Sequence, residues 1–412
     1  MSRFAIPRKI CYHLLMALFG SMLLSAQSKM NFHFNLYTSA GLQWFSVNRS
    51  SIWNPENYFS IPENENRLAL NPEFRLALNA IKASISPYLT VDSQGNTKSY
   101  LREAKATLTV GKFEMTAGKA LMKLGTGYMF TPISVITPAK TVADPEDSLR
   151  SQQGVFMAKV DYYRESWSLS AIAFKKNNWH NFALFAYTSW KSFDLYGLLY
   201  YPESRKLEGG LAVSATVGSG LEIHGEAMLH RRSPVLTHRV YAAEDPWTSY
   251  DEWPLYQPLD RLFPEFLCGW NLSLKGNVSL IGEFYHRSWG LSKSAWNNLK
   301  SHFLFNMQKN ASPFGSMNIG ADMEILQAGS QGLMRDYFFT RICKNLGKTD
   351  IAAIVFINLA DRSLMLMADL NIELADGISM FIRPIFFTGK TGSEFAESFY
   401  SSMIQIGFTA AL

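Results

Sequence analysis

The sequence predicts an all-β chain, and within that class a transmembrane antiparallel β-barrel of about eighteen strands, with a range of about sixteen to twenty. Three observations carry this. Segments of about 9–11 residues alternate apolar and polar side chains again and again, and that is the length a tilted strand needs to cross a hydrocarbon layer. The connectors between these segments alternate between short and long. Aromatic residues reach 14% of the chain, which suits rings held at a boundary between water and an apolar medium.

Residues 1–27 stand apart from this pattern. Arg3, Arg8 and Lys9 precede the apolar stretch Leu14–Ala26, which ends in small and polar residues. Such a stretch is too short to cross a bilayer as a helix and reads as a secretory signal peptide cut near Ala26. Residues 28–412 are then one barrel domain. Without the leader the formal charge falls from +5 to about +2, so nothing in the charge argues for a nucleic-acid partner. Only Cys268 and Cys343 remain, far apart and no disulfide framework.

The first mature segments are the least regular. Within 66–91 the apolar set runs on even positions (Leu68, Leu70, Phe74, Leu76, Leu78) and then moves to odd ones (Ile81, Ile85, Leu89, Val91). A phase flip of that kind predicts a bulge or a turn near 79–82. A strand at 99–109 follows. From residue 112 onward about sixteen more are expected, at 112–118, 153–163, 166–175, 179–188, 193–201, 207–217, 221–230, 264–274, 278–288, 298–308, 314–326, 333–343, 349–359, 363–374, 378–387 and 399–412. In 221–230, Leu221, Ile223, Gly225, Ala227 and Leu229 share one face while Glu222, His224 and Glu226 share the other; a helix would mix the two sets. Residues 314–326 alternate Met317, Ile319, Ala321, Met323 and Ile325 with Asn318, Gly320, Asp322 and Glu324.

Short turns fall at 163–166, 190–192, 218–220, 275–277, 345–348 and 375–377, where Gly and Asn supply the required dihedrals. Long connectors fall at 119–152, 230–263, 289–297 and 388–398. Counted back from the C-terminus, nearly all short turns lie at one end and the long connectors at the other, the arrangement of barrels with short periplasmic turns and longer extracellular loops. A soluble sandwich or propeller also alternates, but its strands average about 5–6 residues. The last strand carries Ile404, Ile406, Phe408, Ala410 and Leu412 on one face, the kind of terminal strand that barrel assembly machinery reads, although the final residue is Leu412 rather than an aromatic.

Residues 101–163 resemble a broad group of porin-like outer-membrane proteins of Gram-negative-type bacteria. In that group an Arg-Glu strand is followed by a Gly-Lys strand end, a Gly-x-Gly-aromatic turn, two spaced prolines and an acidic Asp-Pro stretch. The matching residues are Arg102, Glu103, Gly118, Lys119, Gly125, Gly127, Tyr128, Pro132, Pro138, Lys140, Asp144, Pro145 and Glu146. Leu124 stands where related sequences often carry Trp. The resemblance implies an outer-membrane barrel and names no substrate.

Apolar faces against lipid leave polar faces to line an aqueous lumen. By parity the pore-wall candidates are Arg67, Glu73, Arg75, Lys105, Glu222, His224, Glu226, Asp322, Glu324, Asp369 and Glu373. A connector longer than about 15 residues is typically functional or disordered, and Leu121, Met129, Phe130, Ile133, Val135 and Ile136 suit packing against a wall. Residues 119–152 are therefore a candidate constriction or mouth loop, with Leu121, Met129, Phe130, Ile133, Asp144 and Glu146 as its candidate residues.

Glu222, His224 and Glu226 have the spacing by which one strand offers several ligands, but no further cluster has metal-ligand spacing, so no metal and no cofactor is expected. No nucleophile elbow accompanies the seven mature histidines, and no enzyme is expected. The function expected is passive passage of small hydrophilic solutes, with lipid, the assembly machinery and the solute as partners. The alternative is an adhesin, receptor or structural barrel acting through its outer loops, with 230–263, rich in aromatics and charge, as the contact; an outer-membrane hydrolase ranks below it.

Overall fold

Period-two alternation resolves into eighteen antiparallel strands that close on themselves. The structure is a computed structural model that describes residues 30–136, 140–142, 151–176, 179–202, 206–309, 312–329 and 331–411. The signal-peptide expectation for 1–27 lies outside the described residues, as do Asp144 and Glu146.

The first half of the wall is β1 (Met30–Val47), β2 (Asn64–Leu78), β3 (Ile81–Asp92), β4 (Thr97–Val110), β5 (Phe113–Ala120), β6 (Val155–Tyr163), β7 (Trp167–Lys176), β8 (Trp179–Trp190) and β9 (Phe193–Pro202). Next come β10 (Glu208–Val217) and β11 (Leu221–Arg232), and then a small ribbon outside the wall, β12 (Thr237–His238) with β13 (Leu255–Tyr256). The wall resumes with β14 (Leu259–Leu274), β15 (Val278–Arg287), β16 (Asp336–Asn345), β17 (Thr349–Asn358), β18 (Leu364–Ala375), β19 (Ile378–Thr388) and β20 (Tyr400–Ala411). β1 pairs with β2 on one side and β20 on the other, with Ala40 opposite Phe408. No wall strand is left with an open edge, which is what lipid demands of a spanning sheet.

Both faces follow the expected parity. On β11, His224, Glu226, Met228 and His230 are buried inside while Ile223, Ala227 and Leu229 are exposed outside. Exposed rings gather at the ends of the strands. Phe113, Tyr163, Trp167, Trp190 and Phe193 border the short turns, and Phe156, Phe182 and Tyr201 lie toward the opposite end, as two aromatic girdles would. The turns at one end have two or three residues, and the long connectors all leave the other end.

The strand number agrees with expectation, but through compensating differences. Residues 298–308 and 314–326 are not strands: α1 (Lys293–Gln308) and α2 (Pro313–Ala328) occupy the β15–β16 connector. Ser292 and Ser312 cap their first turns, and Pro313 stands at the first helical position, where its missing N–H costs nothing. The buried set of α1 (Ala295, Trp296, Leu299, His302, Phe303, Asn306) recurs every three to four residues, a helical period. In the other direction, 30–47 forms a strand that the irregular start concealed, and 66–91 is two strands joined at Asn79–Ala80, where Asn79 has φ 47°. The phase flip marks that turn.

Toward the long-connector end the barrel holds a hydrophobic core. Trp53 from the β1–β2 connector packs edge-on against Trp296 at 5.3 Å and Phe303 at 5.1 Å. Inward wall residues Tyr285, Phe339, Phe356 and Ile385 join the same cluster. Each fully buried side chain of this size contributes roughly 1.5–3 kcal/mol, so the connectors are packed parts of the fold.

Candidate functional site: the lumen and its inward connector

The inner wall is lined by paired charges along the strands. Arg75 grips Glu73 through Nε at 2.8 Å, Arg67 meets Glu65 at 2.7 Å, Lys105 meets Glu103 at 3.1 Å, and Arg383 meets Asp369 at 3.0 Å. Ser214 donates to Glu222 at 2.7 Å, and Glu373 lies half-buried on the inner face of β18. Between β1, β2 and β16–β20, Asp369 and Arg383 border a cavity of about 480 Å³ whose wall also includes Asn71, Arg341, Asp350 and Asn371. Charges of both signs alternate around it, which imposes a transverse field on whatever occupies the space.

Two pore-wall candidates have a different placement. Asp322 and Glu324 were assigned to a strand and belong to α2; Asp322 is fully buried beside His302, and Glu324 is exposed on the helix surface. The alternation was real, but the buried face of α2 itself carries polar residues, Asn318 and Asp322. Hydropathy alone therefore could not show its helical period.

Glu226 is the best-engaged of the candidates. It does not face open water: its carboxylate accepts the backbone N–H of Thr126, of Gly127 at 2.8 Å and of Ile133 at 3.2 Å. On the next wall strand but one, Glu283 accepts the N–H groups of Tyr128, of Met129 at 2.9 Å and of Phe130 at 3.3 Å. Two buried carboxylates thus hold six backbone donors of one connector. Such charge-assisted bonds are stronger than neutral ones, and here they satisfy backbone groups that have left water. His224 sits beside this latch, with Nε2 3.3 Å from Glu283 Oε1.

The local sequence explains the fit. Gly125 has φ +92°, and a Cβ there would lie 2.5 Å from Glu226 Oε1. At Gly127 a Cβ would lie 1.8 Å from the carbonyl oxygen of Phe130. The Gly-x-Gly turn therefore presents a fan of N–H groups to the wall, and the Thr126 hydroxyl between the two glycines also donates to Glu226 at 3.2 Å. Beyond it, Phe130 stacks on Tyr285 at 4.0 Å and 10°. Ile133, Val135 and Ile136 pack with Ile172, Phe174 and Met228. Leu121, half-buried, donates its N–H to Glu103 at 3.0 Å, and Lys176 donates to the carbonyl of Val135 at 2.9 Å. Met129, Phe130 and Ile133 are buried.

Glu283 was missed by sequence reading. It is the only acidic residue of β15, between Gly282 and Phe284 and at the inward parity of Ile281, Tyr285 and Arg287; an acid at inward parity among large apolar side chains is the signal that could have found it.

No known protein family and no curated protein matches the sequence. The similarity is to solved structures. Acinetobacter baumannii OccAB1 superposes with TM-score 0.58 at 6% identity, covering 94% of this chain and 98% of that one. Pseudomonas aeruginosa OccK2 (OpdF), solved in complex with glucuronate, gives 0.57 at 10%, covering 93% and 98%. Pseudomonas aeruginosa OccK8 (OprE) gives 0.54 at 9%, covering 93% and 98%. At such identities the likeness is one of fold: these porin structures and this chain share a closed antiparallel β-barrel, here of eighteen strands.

Proposed function

We propose that this barrel is an outer-membrane channel for the passive passage of small hydrophilic solutes, exported through a signal peptide at residues 1–27 and constricted by the 119–152 connector. The observation that carries the reading is the pairing of a polar, charge-lined interior with a connector bound to the inner wall by Glu226 and Glu283. A connector held that way narrows the path without closing over the mouth. Leu121, Met129, Phe130 and Ile133 are the residues that set it, and Arg67, Glu73, Arg75, Lys105, Glu222, Asp369 and Glu373 line the wall on either side. Selection then works by size and field, with no covalent chemistry. That OccK2 was solved with glucuronate supports a polar solute of about sugar-acid size. The terminal strand β20, with Ile404 and Phe408 exposed on its outer face, is the segment for the assembly machinery to read.

The test is reconstitution in a planar bilayer, with unit conductance compared before and after deletion of residues 121–136. A larger unit current in the deletion supports the constriction; an unchanged current refutes it, and no current from either protein refutes the channel. A second reading, a binding role for the 233–258 connector, is favoured by exposed Trp247, Trp253 and Tyr256. It would prevail if the barrel conducted nothing while a soluble ligand bound those rings.

A further inference from the structure

Beyond the lumen, three buried side chains from separate elements converge in the cap built by the long connectors. His238 ends β12, His302 lies on α1, and Asp322 lies on α2; all three are fully buried. His302 Nδ1 is 3.0 Å from both oxygens of Asp322, and His238 Nε2 is 3.2 Å from Oδ1. One donor atom from each of the three lies within 4.8 Å of the others.

We propose that His238, His302 and Asp322 form a binding site for a divalent transition metal of the zinc class, clipping the β11–β14 connector to both cap helices. Ligands about 2.0–2.1 Å from a tetrahedral zinc stand a little over 3 Å apart, close to the separations from Asp322 to each imidazole. Charge points the same way. Asp322 brings a carboxylate into a dry site, and the other groups around it are His238, His302, the Tyr241 and Tyr250 phenols and the more distant Arg239. A dication compensates a buried carboxylate charge directly.

The site also has atoms awaiting a partner. His302 Nε2 and Tyr241 Oη are buried without a hydrogen bond. His238 Nδ1 accepts the N–H of Val240 at 3.0 Å, so the neutral ring carries its proton on Nε2. Metal binding at Nε2 moves that proton to Nδ1 and exchanges one backbone hydrogen bond for a metal–nitrogen bond. His302 ligates through Nδ1, with the ring proton on Nε2. The segments that carry the donors are themselves tied together: Asn298 holds the carbonyls of Val240 and Ala243 at 3.2 Å, and Asn318 bonds both backbone groups of Tyr250. Sequence spacing gave no hint, because the donors come from three elements distant in the chain.

The experiment uses the full-length mature barrel without a histidine tag, purified in detergent, stripped with chelator, and titrated with zinc and with cobalt. About one zinc per chain is expected to survive gel filtration, and cobalt is expected to show visible bands of a low-coordinate nitrogen–oxygen site. His302→Ala and Asp322→Ala should reduce bound zinc to background while the barrel keeps its heat-modifiable gel migration. Should those variants not fold, proteolysis of the wild type within 233–258 with and without zinc serves instead, with slower cleavage expected with metal. Absence of stoichiometric zinc in the wild type, zinc undiminished in folded variants, or cleavage indifferent to zinc each overturns the proposal. None of these readouts depends on conductance.

Discussion

The Glu226 carboxylate accepts the backbone N–H of Gly127 at 2.8 Å, across ninety-nine residues of chain. One wall strand and one turn are thereby joined at a point where neither group meets water. Gly127→Ala should break this junction, because the added Cβ would stand 1.8 Å from the Phe130 carbonyl oxygen. The expected cost is about 1–3 kcal/mol of stability, with the turn displaced from the wall. Single-channel recording checks it: unit conductance should rise above wild type. An Ala variant with wild-type conductance and unfolding midpoint would show that the turn does not depend on this approach.

Glu226→Ala and Glu283→Ala each leave three backbone N–H groups facing a wall without an acceptor. Buried donors left unsatisfied cost about 1–3 kcal/mol. Because both carboxylates hold the same connector, the two losses should not add. The first frees the segment, and the second then removes little, a coupling of about 0.5–3 kcal/mol in a double-mutant cycle. Denaturant unfolding of the two single variants and the double variant measures it; strict additivity would mean that 126–130 and 133 are held independently.

The barrel was legible because a closed sheet between lipid and water imposes period two on every strand. The β11 segment placed Glu222, His224 and Glu226 inside from parity alone. What parity could not tell is whether an inward charge meets water or protein: His224 and Glu226 are covered, whereas Arg75 remains exposed. The cap was illegible for another reason. The buried faces of α1 and α2 include His302, Asn306, Asn318 and Asp322, polar residues satisfied only by other connectors, so hydropathy showed alternation where burial shows a helix. Ser312 followed by Pro313 was the local signal of a helix start that the strand reading passed over.

Glu394, in the β19–β20 connector, accepts hydrogen bonds from Tyr337 Oη and Asn358 Nδ2, each at 2.8 Å. Burial pushes its carboxyl up to about 6 against these bonds. The folded protein therefore takes up a proton at a pH where the unfolded chain is still ionised. Its contribution to stability is fully present below about pH 4.5 and is lost as pH rises through about 6, by at most about 2 kcal/mol. Unfolding followed through the buried Trp53 and Trp296 should show this rise in stability between pH 7 and pH 5. Glu394→Gln should flatten that part of the profile; an unaltered profile in the variant would assign the pH dependence to other groups.

Ala368 and Asn371 lie three residues apart on β18, and they face opposite solvents. Ala368 is exposed on the outer wall, and Asn371 borders the interior cavity. Arginine at the first position puts a charge into hydrocarbon near mid-strand, with an expected cost of about 2–4 kcal/mol in unfolding from lipid vesicles. At the second position it meets water beside Asp369 and Asp350, so stability should change little. The reversal potential in a salt gradient should instead shift toward anion preference. Equal destabilisation by both substitutions would mean that the two faces are not divided between lipid and water, and the assignment of every inward residue would fail with them.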